Sequence, residues 1–354
     1  MAETDEPLPT FTWALNLVRE RYNCPKPALL LGNGFSQAFS SDFGYKTLRA
    51  KATLDNLSNG VTKDDIFEHV GTNDFETVIH TLERAAQLQE IYTPFGTLQH
   101  DLKADAEVVK KGLVDALGAI HPSSAQEVDH RKYLAARMFL SNFSLLFTLN
   151  YDLLLYWTRN HQVSLSQSTA YPIPSNDGFT DYGDSDRPLT WKSPGYLDQE
   201  VFHLHGAMHL YAEGNETRKL RYKSGGGGKL IDQVRQNLNA GNYPLVVTEG
   251  SRENKQERIA ANPYLSYCYN RLRQLDGVLF VHGVALSEND QHILDAISDP
   301  YSGVTTLFVG LFGDKALYRD VKHRAEGIAL ERKQRGGREL RVEFYQSASA
   351  EPWG

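Results

Sequence analysis

The sequence predicts an α/β protein built on a doubly wound, mostly parallel sheet with a helical insertion. Three observations predict it. Short apolar runs alternate with segments of helical period between residues 141 and 346, a pattern that sets parallel strands side by side beneath helices. An earlier run, Ala28-Leu29-Leu30-Leu31, ends in Gly32-Asn33-Gly34, and Phe35 to Phe39 then read as helix. Residues 51–140 show helical spacing and no strand pattern, so they interrupt the sheet rather than extend it. The expected organisation is one unit over residues 1–354, with a Rossmann-like core at about 25–50 and 141–346 and the insertion at about 51–140.

Taken in order, residues 10–22 (Trp13, Leu15, Leu17, Val18) predict a short amphipathic helix before the first strand. After the glycine turn, Ser40 to Tyr45 form a polar loop with two aromatics. Inside the insertion, Asn73-x-x-Glu76 has the form of a capping box. Behind it Val78, Ile79, Leu82, Ala85, Ala86 and Leu88 recur at helical spacing. A second helix carries Leu98 to Leu117 and stops near Pro122, and a third runs from Ser123 or Ser124 to about Asn142. The sheet resumes at Ser144–Leu149, apolar enough to be covered on both faces. A helix from Leu153 to Trp157 follows, then a long polar loop over residues 161–200. Val201–Leu204 is a strand with Met208–Ala212 as its hairpin continuation, and Tyr243–Thr248 is another strand. Tyr264–Leu275 (helix), Gly277–His282 (strand), Gln291–Ile297 (helix), Val304–Val309 (strand), 315–335 (charged helix) and Leu340–Tyr345 (strand) complete the alternation.

The totals bound the function. A chain of 354 residues, 41% hydrophobic, buries a core without staples. A net charge of −7 argues against nucleic-acid binding by phosphate neutralisation. Cys24 and Cys268 are the only cysteines, which excludes a four-cysteine zinc module and argues against a disulfide framework. No apolar run approaches the roughly 20 residues that span a bilayer, so no membrane partner is expected. Met1–Pro9 lacks the profile of a signal peptide, which makes the cytoplasm the expected compartment. The glycine run Gly225–Gly228 is not a phosphate loop. Lys223 stands where the motif needs glycine, and Leu230 replaces the Ser/Thr that would hold magnesium. A surface loop is expected there.

In doubly wound sheets, ligands sit beyond the carboxyl ends of the strands. The expected strand ends carry Gly32 and Gly34, Asn150 and Asp152, His205, and Gly283 and Ser287. Each has a plainer explanation. The glycines serve a turn's dihedrals, Asn150 and Asp152 cap the helix near Leu153, and His282 is a buried, hydrogen-bonded histidine. His203 and His205, two apart on a strand, face the same way and raise a metal-site reading that needs a third ligand, His282 or Asp152.

The sets Gly32-Asn33-Gly34-Phe35-Ser36, Thr148-x-Asn150-Tyr151-Asp152, His205-Gly206 and Gly283-x-x-Leu286-Ser287-x-x-Asp290 stand in the order seen in sirtuin-like domains. Over roughly residues 25–300 the chain resembles in particular the sirtuin-like proteins of bacterial anti-phage defence. Pro244–Leu265, with Lys255, is similar to the segment preceding the last motif, without a chemical role assigned to it. The resemblance implies that NAD, as substrate, lies across the switch point of the sheet and is cut between nicotinamide and ribose. It implies that Asn150 sits by the nicotinamide ribose, that His205 is the base, and that Asp152 sits by the nicotinamide pocket. Gly32, Gly34 and Ser36 would cradle phosphate, with Asn33 and Phe35 in the same cofactor-binding turn, and Gly283 and Ser287 would hold the far end of the dinucleotide. The zinc module of the deacylases is missing, so water is the expected acceptor, ADP-ribose the product, and no metal is expected. A homo-oligomer or a defence-system partner protein, and silence until triggered, are further implications. Two alternatives stand beside this: a non-catalytic nucleotide-binding sensor or partner subunit, and a metal-dependent hydrolase using His203 and His205.

Overall fold

A computed structural model describes residues 7–93, 96–181, 188–192, 198–221, 229–240, 242–247, 252–313 and 315–354. The first helix, α1 (Phe11–Arg21), is capped by Thr10, whose hydroxyl accepts from the Trp13 amide. It leads into β1 (Ala28–Leu31), the glycine turn and α2 (Asn33–Phe39). The helical region follows as α3 (Tyr45–Lys51), α4 (Lys63–Val70), α5 (Phe75–Tyr92), α6 (Leu98–Ile120) and α7 (His130–Leu140). Next come β2 (Leu145–Thr148), α8 (Leu154–Asn160), α9 (Leu165–Ala170), β3 (Phe179–Thr180), β4 (Leu189–Trp191) and β5 (Val201–His203). Then β6 (Gly206–Glu213), β7 (Glu216–Lys219), α10 (Leu230–Asn239), β8 (Pro244–Val246), α11 (Arg252–Ala261) and α12 (Pro263–Arg273) follow. The chain closes with β9 (Asp276–His282), α13 (Gln291–Ser298), β10 (Gly303–Leu311), α14 (Lys315–Gln334) and β11 (Arg341–Gln346).

Six strands form an all-parallel sheet in the order β11-β10-β9-β1-β2-β5. Numbered among themselves from β5 inward, they run 3-2-1-4-5-6, the doubly wound order of a Rossmann-like sheet, whose direction of winding reverses between β1 and β9. Both faces are covered, and β1 shows why its run is wholly apolar. Leu29 and Leu31 join one buried cluster, with Phe11, Phe143 and Phe280. Ala28 and Leu30 join another, with Leu279, Val281 and Leu307. A strand buried on both sides has no polar face to alternate with.

The structure departs from the sequence reading in four places. A second, antiparallel sheet, β3-β4-β7-β6-β8, takes in the Met208 hairpin and the Tyr243 run, which belong to no strand pair of the main sheet. Gly206 makes the corner: it sits at φ +75, and a Cβ there would lie 1.8 Å from the Leu245 carbonyl oxygen. Within residues 161–200, α9, β3 and β4 replace the expected unbroken loop. The capping box forms at Thr62 and Asp65 on α4. Asn73 instead accepts from Arg49, because α5 starts only at Phe75. The third helix starts at His130, where Asp129 accepts from the Arg131 amide, and not at Ser123, whose amide is taken by the Glu127 carboxylate. The Gly225–Gly228 run lies outside the described residues.

After β11 the chain returns to the glycine turn. The Trp353 indole Nε1 donates to the Phe35 carbonyl at 2.8 Å, and its ring centroid lies 4.9 Å from that of Phe35 and 5.1 Å from that of Phe39. No helix among the described residues is long and apolar enough to cross a membrane.

Candidate functional site

The glycines of the turn meet another backbone. Gly32 N donates to the His282 carbonyl at 3.0 Å, and Gly34 N to the Gly283 carbonyl at 2.9 Å. A Cβ on Gly32 would lie 2.5 Å from Gly283 O, and one on Gly34 would lie 2.5 Å from Gly283 Cα. Gly32 has an extended backbone, φ −119 and ψ −172, so close approach and not dihedral freedom demands glycine there. Gly283 needs both, at φ +70 with Gly34 Cα 2.7 Å from its would-be Cβ. The strand ends flanking the switch point are thus locked backbone to backbone. Gly34→Ala is expected to cost about 1–3 kcal/mol through this clash. Gly327→Ala, in α14 with open space around it, is expected to be neutral or stabilising. Urea unfolding of the two variants checks the contrast.

The turn offers fewer free amides than expected, because Gly34 N is taken by Gly283 and Phe35 N by the Gly32 carbonyl. Phe35 and Ser36 also do not line the cavity at the switch point. Phe35 is 1% exposed and packs on Trp353 and Phe139, and Ser36 is fully buried. Asn33 lines the cavity, while its Nδ2 donates to the Phe43 carbonyl.

That cavity has a volume of about 780 Å³. Its floor is the strand ends: Gly32, Gly34, Asn150, Asp152, His205 and Gly283. One wall is apolar and comes from the helical region, with Leu48, Phe75, Leu113 and Leu117. Another comes from the C-terminal segment, with Ser347, Glu351 and Trp353, and Ser287 and Asp290 stand on the loop after β9. Among the described residues no lysine or arginine lines it. Arg324 donates to the carbonyl of Ala285 on the wall. An anion here would rest on amides and hydroxyls.

Three side chains at the β1 and β2 ends form a relay. Asn150 Nδ2 donates to Ser36 Oγ at 3.0 Å, and Ser36 Oγ donates to Asp152 Oδ2. Asp152 Oδ1 accepts from the Leu154 amide at the start of α8, so it serves that helix as expected. Burial pushes the Asp152 carboxyl above its ordinary value, against the Ser36 and Leu154 hydrogen bonds that pull it down. Asn150 is held by Ser36 where it lines the cavity. His205 is 2% exposed, its ring stacked on Tyr151 at 6.3 Å, and its Nε2 lies 2.8 Å from Nε2 of His292. Burial, then His292, then Lys255 hold the His205 imidazole well below its ordinary value, so it is neutral at pH 7. Lys255, itself 1% exposed, donates to the Asn289 carbonyl. The Asn289 side chain ties the loop after β9 to Asp74 at the mouth of α5.

A family model described as a domain of unknown function, DUF4917, matches residues 29–353. The chain belongs to the DUF4917 family. The matched span takes in the glycine turn, Asn150, His205 and the C-terminal segment up to Trp353. No curated protein matches the DUF4917 chain.

The structure does not bring together the ligands that the metal reading asks for. β5 ends at His203 and Leu204–His205 form a turn, so His203 and His205 part company. His203 joins a buried cluster with His209, Asp177, Lys219 and Arg159 and does not line the cavity. His282 Nδ1 is paired with the Tyr345 hydroxyl at 3.0 Å. Among the described residues no group of three or more His, Cys, Asp or Glu is placed to hold a metal ion. In the cluster, Asp177 Oδ2 lies 2.6 Å from Lys219 Nζ and 3.0 Å from Arg159 Nη1. Although burial opposes ionisation, those two cations hold the Asp177 carboxyl well below its ordinary range. Asp177→Asn leaves two buried cations without a counter-charge and is expected to cost about 3–5 kcal/mol. Its urea midpoint at pH 7 reads that loss.

Sequence reasoning missed His292, assigned nothing to Lys255, and missed the C-terminal wall. His292 carries the one available signal: it opens the wholly buried stretch His292–Ser298 of α13, in which Asp295 is the only other ionisable side chain.

Proposed function

We propose that this chain hydrolyses NAD at the bond between nicotinamide and ribose, releasing nicotinamide and ADP-ribose, as an effector of the anti-phage type that its motifs resemble. One observation carries the reading: Asn150 and a neutral His205 stand on one cavity with the glycine turn, at the switch point of a 3-2-1-4-5-6 parallel sheet. The cavity's volume is in the range of small-molecule and cofactor sites. The chemistry asks for what is there. When the carbon–nitrogen bond breaks, its electron pair neutralises the pyridinium, so the leaving group needs no acid. Water adds to the ribose carbon and gives up a proton, which needs one base; of the two neutral imidazoles on the cavity, His282 has its Nδ1 paired with the Tyr345 hydroxyl, and His205 is the one proposed. Asn150 Oδ1 would orient the ribose and favour the positive charge that develops on it. The test is release of nicotinamide from NAD by the purified chain, with binding read separately by thermal stabilisation.

A second reading, a nucleotide-binding module without turnover, is favoured by one feature. Both Asp152 oxygens are committed inside the protein, to Ser36 and Leu154, so Asp152 supports the floor rather than reaching a ligand. Stabilisation by NAD with no nicotinamide released, in any oligomeric state, selects that reading.

A further inference from the structure

We propose that His292 is the positioning residue for His205: its Nε2 accepts from His205 Nε2–H and so keeps the His205 lone pair on Nδ1, the nitrogen left for the cavity. The inference rests on the proposed role of His205 as base.

The geometry admits few alternatives. Two imidazoles with their Nε2 atoms 2.8 Å apart share one proton between them. The rings lie nearly parallel, 21° apart with centroids 4.9 Å apart, and are 2% and 0% exposed. His205 Nε2 is therefore spent on His292, and any proton His205 takes from a ligand or water must go to Nδ1. A vacant Nδ1 requires the His205 proton on Nε2, and that requires His292 to accept. The logic is that of a carboxylate that fixes the tautomer of a catalytic histidine, with a neutral imidazole in its place. His292 is itself fixed: it sits on α13, its carbonyl accepts from Tyr269 Oη at 2.9 Å, and the Tyr269 ring lies parallel to its own. Burial, then Lys255, push the His292 imidazole down to about 3, so it is a neutral acceptor across the physiological range. The arrangement has a cost, because His292 Nδ1–H then stays buried without a partner. The opposite direction would relieve that cost, but it would leave His205 presenting an N–H, a donor and not a base. The direction of this one hydrogen bond decides between the two.

Two measurements read it. In 15N-histidine-labelled protein, long-range proton–nitrogen correlation should show His205 protonated on Nε2 and bare on Nδ1. His292→Phe, which keeps the ring and loses the acceptor, should scramble that tautomer and lower kcat for nicotinamide release about 10²-fold or more with KM little changed. His292→Gln, whose amide oxygen can accept, should recover much of the loss. A wild-type His205 protonated on Nδ1 overturns the proposal, as does a His292→Phe variant that turns over like wild type while His205→Ala is dead. His205→Ala releasing nicotinamide at the wild-type rate sinks the base assignment itself, a different outcome. The tautomer is read without turnover, so it decides the pairing even in a chain that is silent at rest.

Discussion

Replacing His205 with alanine is expected to lower nicotinamide release by about 10²–10⁴-fold, the range by which a positioned base accelerates proton transfer. The expectation is specific because the neighbouring histidine supplies the control. His203 is two residues away and just as buried, yet it lies in the Asp177–Lys219–Arg159 cluster and off the cavity. His203→Leu should therefore alter stability and leave turnover per folded molecule intact, while His205→Ala should lower turnover per folded molecule beyond any change in stability. The rise in Tm on adding NAD that the proposed site predicts should survive in His205→Ala, since the floor contributed by Gly32, Gly34 and Asn150 does not depend on the imidazole. Asn150→Ala should affect both quantities, because it takes away the amide proposed to orient the ribose and also the donor to Ser36. Measuring release and thermal shift on the three variants separates base, scaffold and bystander. Equal losses in His203→Leu and His205→Ala would mean that the assay reports folding, and the base would have to be sought elsewhere on the cavity.

What the sequence disclosed, and what it concealed, follows the range of the interactions. The parallel strands were legible because burial on both faces writes an uninterrupted apolar run, as in Leu29–Leu31 and Leu279–Val281. The insertion was legible because its helices keep an apolar stripe. The antiparallel sheet was not, since β3 and β4 are two or three residues long and carry too little periodicity to detect, and the runs of β6 and β8, though legible as strands, carry no local sign of which sheet they join. The shared face expected of His203 and His205 assumed a strand that continues, but the strand ends at His203 and Leu204–His205 form a turn. That Gly32, Asn150, His205 and Gly283 line one cavity could be read because each follows a strand or its end. The partners that hold these positions could not: Trp353 meets Phe35 across 318 residues and His292 meets His205 across 87, contacts that leave no local pattern. Ser36 was recognised by position but its direction was not, because whether a side chain early in α2 faces the ligand or the core depends on Asp152 arriving from β2.

Acidification should unfold this protein steeply before any carboxylate is involved. Burial is the leading cause that lowers the imidazoles of His121 to about 3, His203 to about 3, His282 to about 4 and His292 to about 3, and it takes His205 and His209 well below their ordinary value. In the unfolded chain each returns to about 6.5. As pH falls below that value the unfolded state binds protons that the folded state refuses, so stability drops as pH drops. The contribution is fully present above about pH 6.5 and drains away as pH descends toward 4 and 3. Each histidine then contributes a slope of about 1.4 kcal/mol per pH unit. A protein with a total stability on the order of 5–15 kcal/mol is exhausted within one or two units when several act together. Asp177 works in a separate window, because its depressed folded value protects the native state only above its unfolded value of about 3.9 and is lost as pH falls below it. The urea midpoint should therefore be flat from pH 8 to 7, fall sharply between pH 6.5 and 5, and vanish before Asp177 begins to matter. His203→Leu removes one titrating group whose two ring nitrogens have no partner, and should make the fall shallower by about one proton's worth. A midpoint that stays level to pH 5 would mean that these imidazoles gain protons in the folded state, and the neutral base assigned to the cavity would then lose its physical footing along with them.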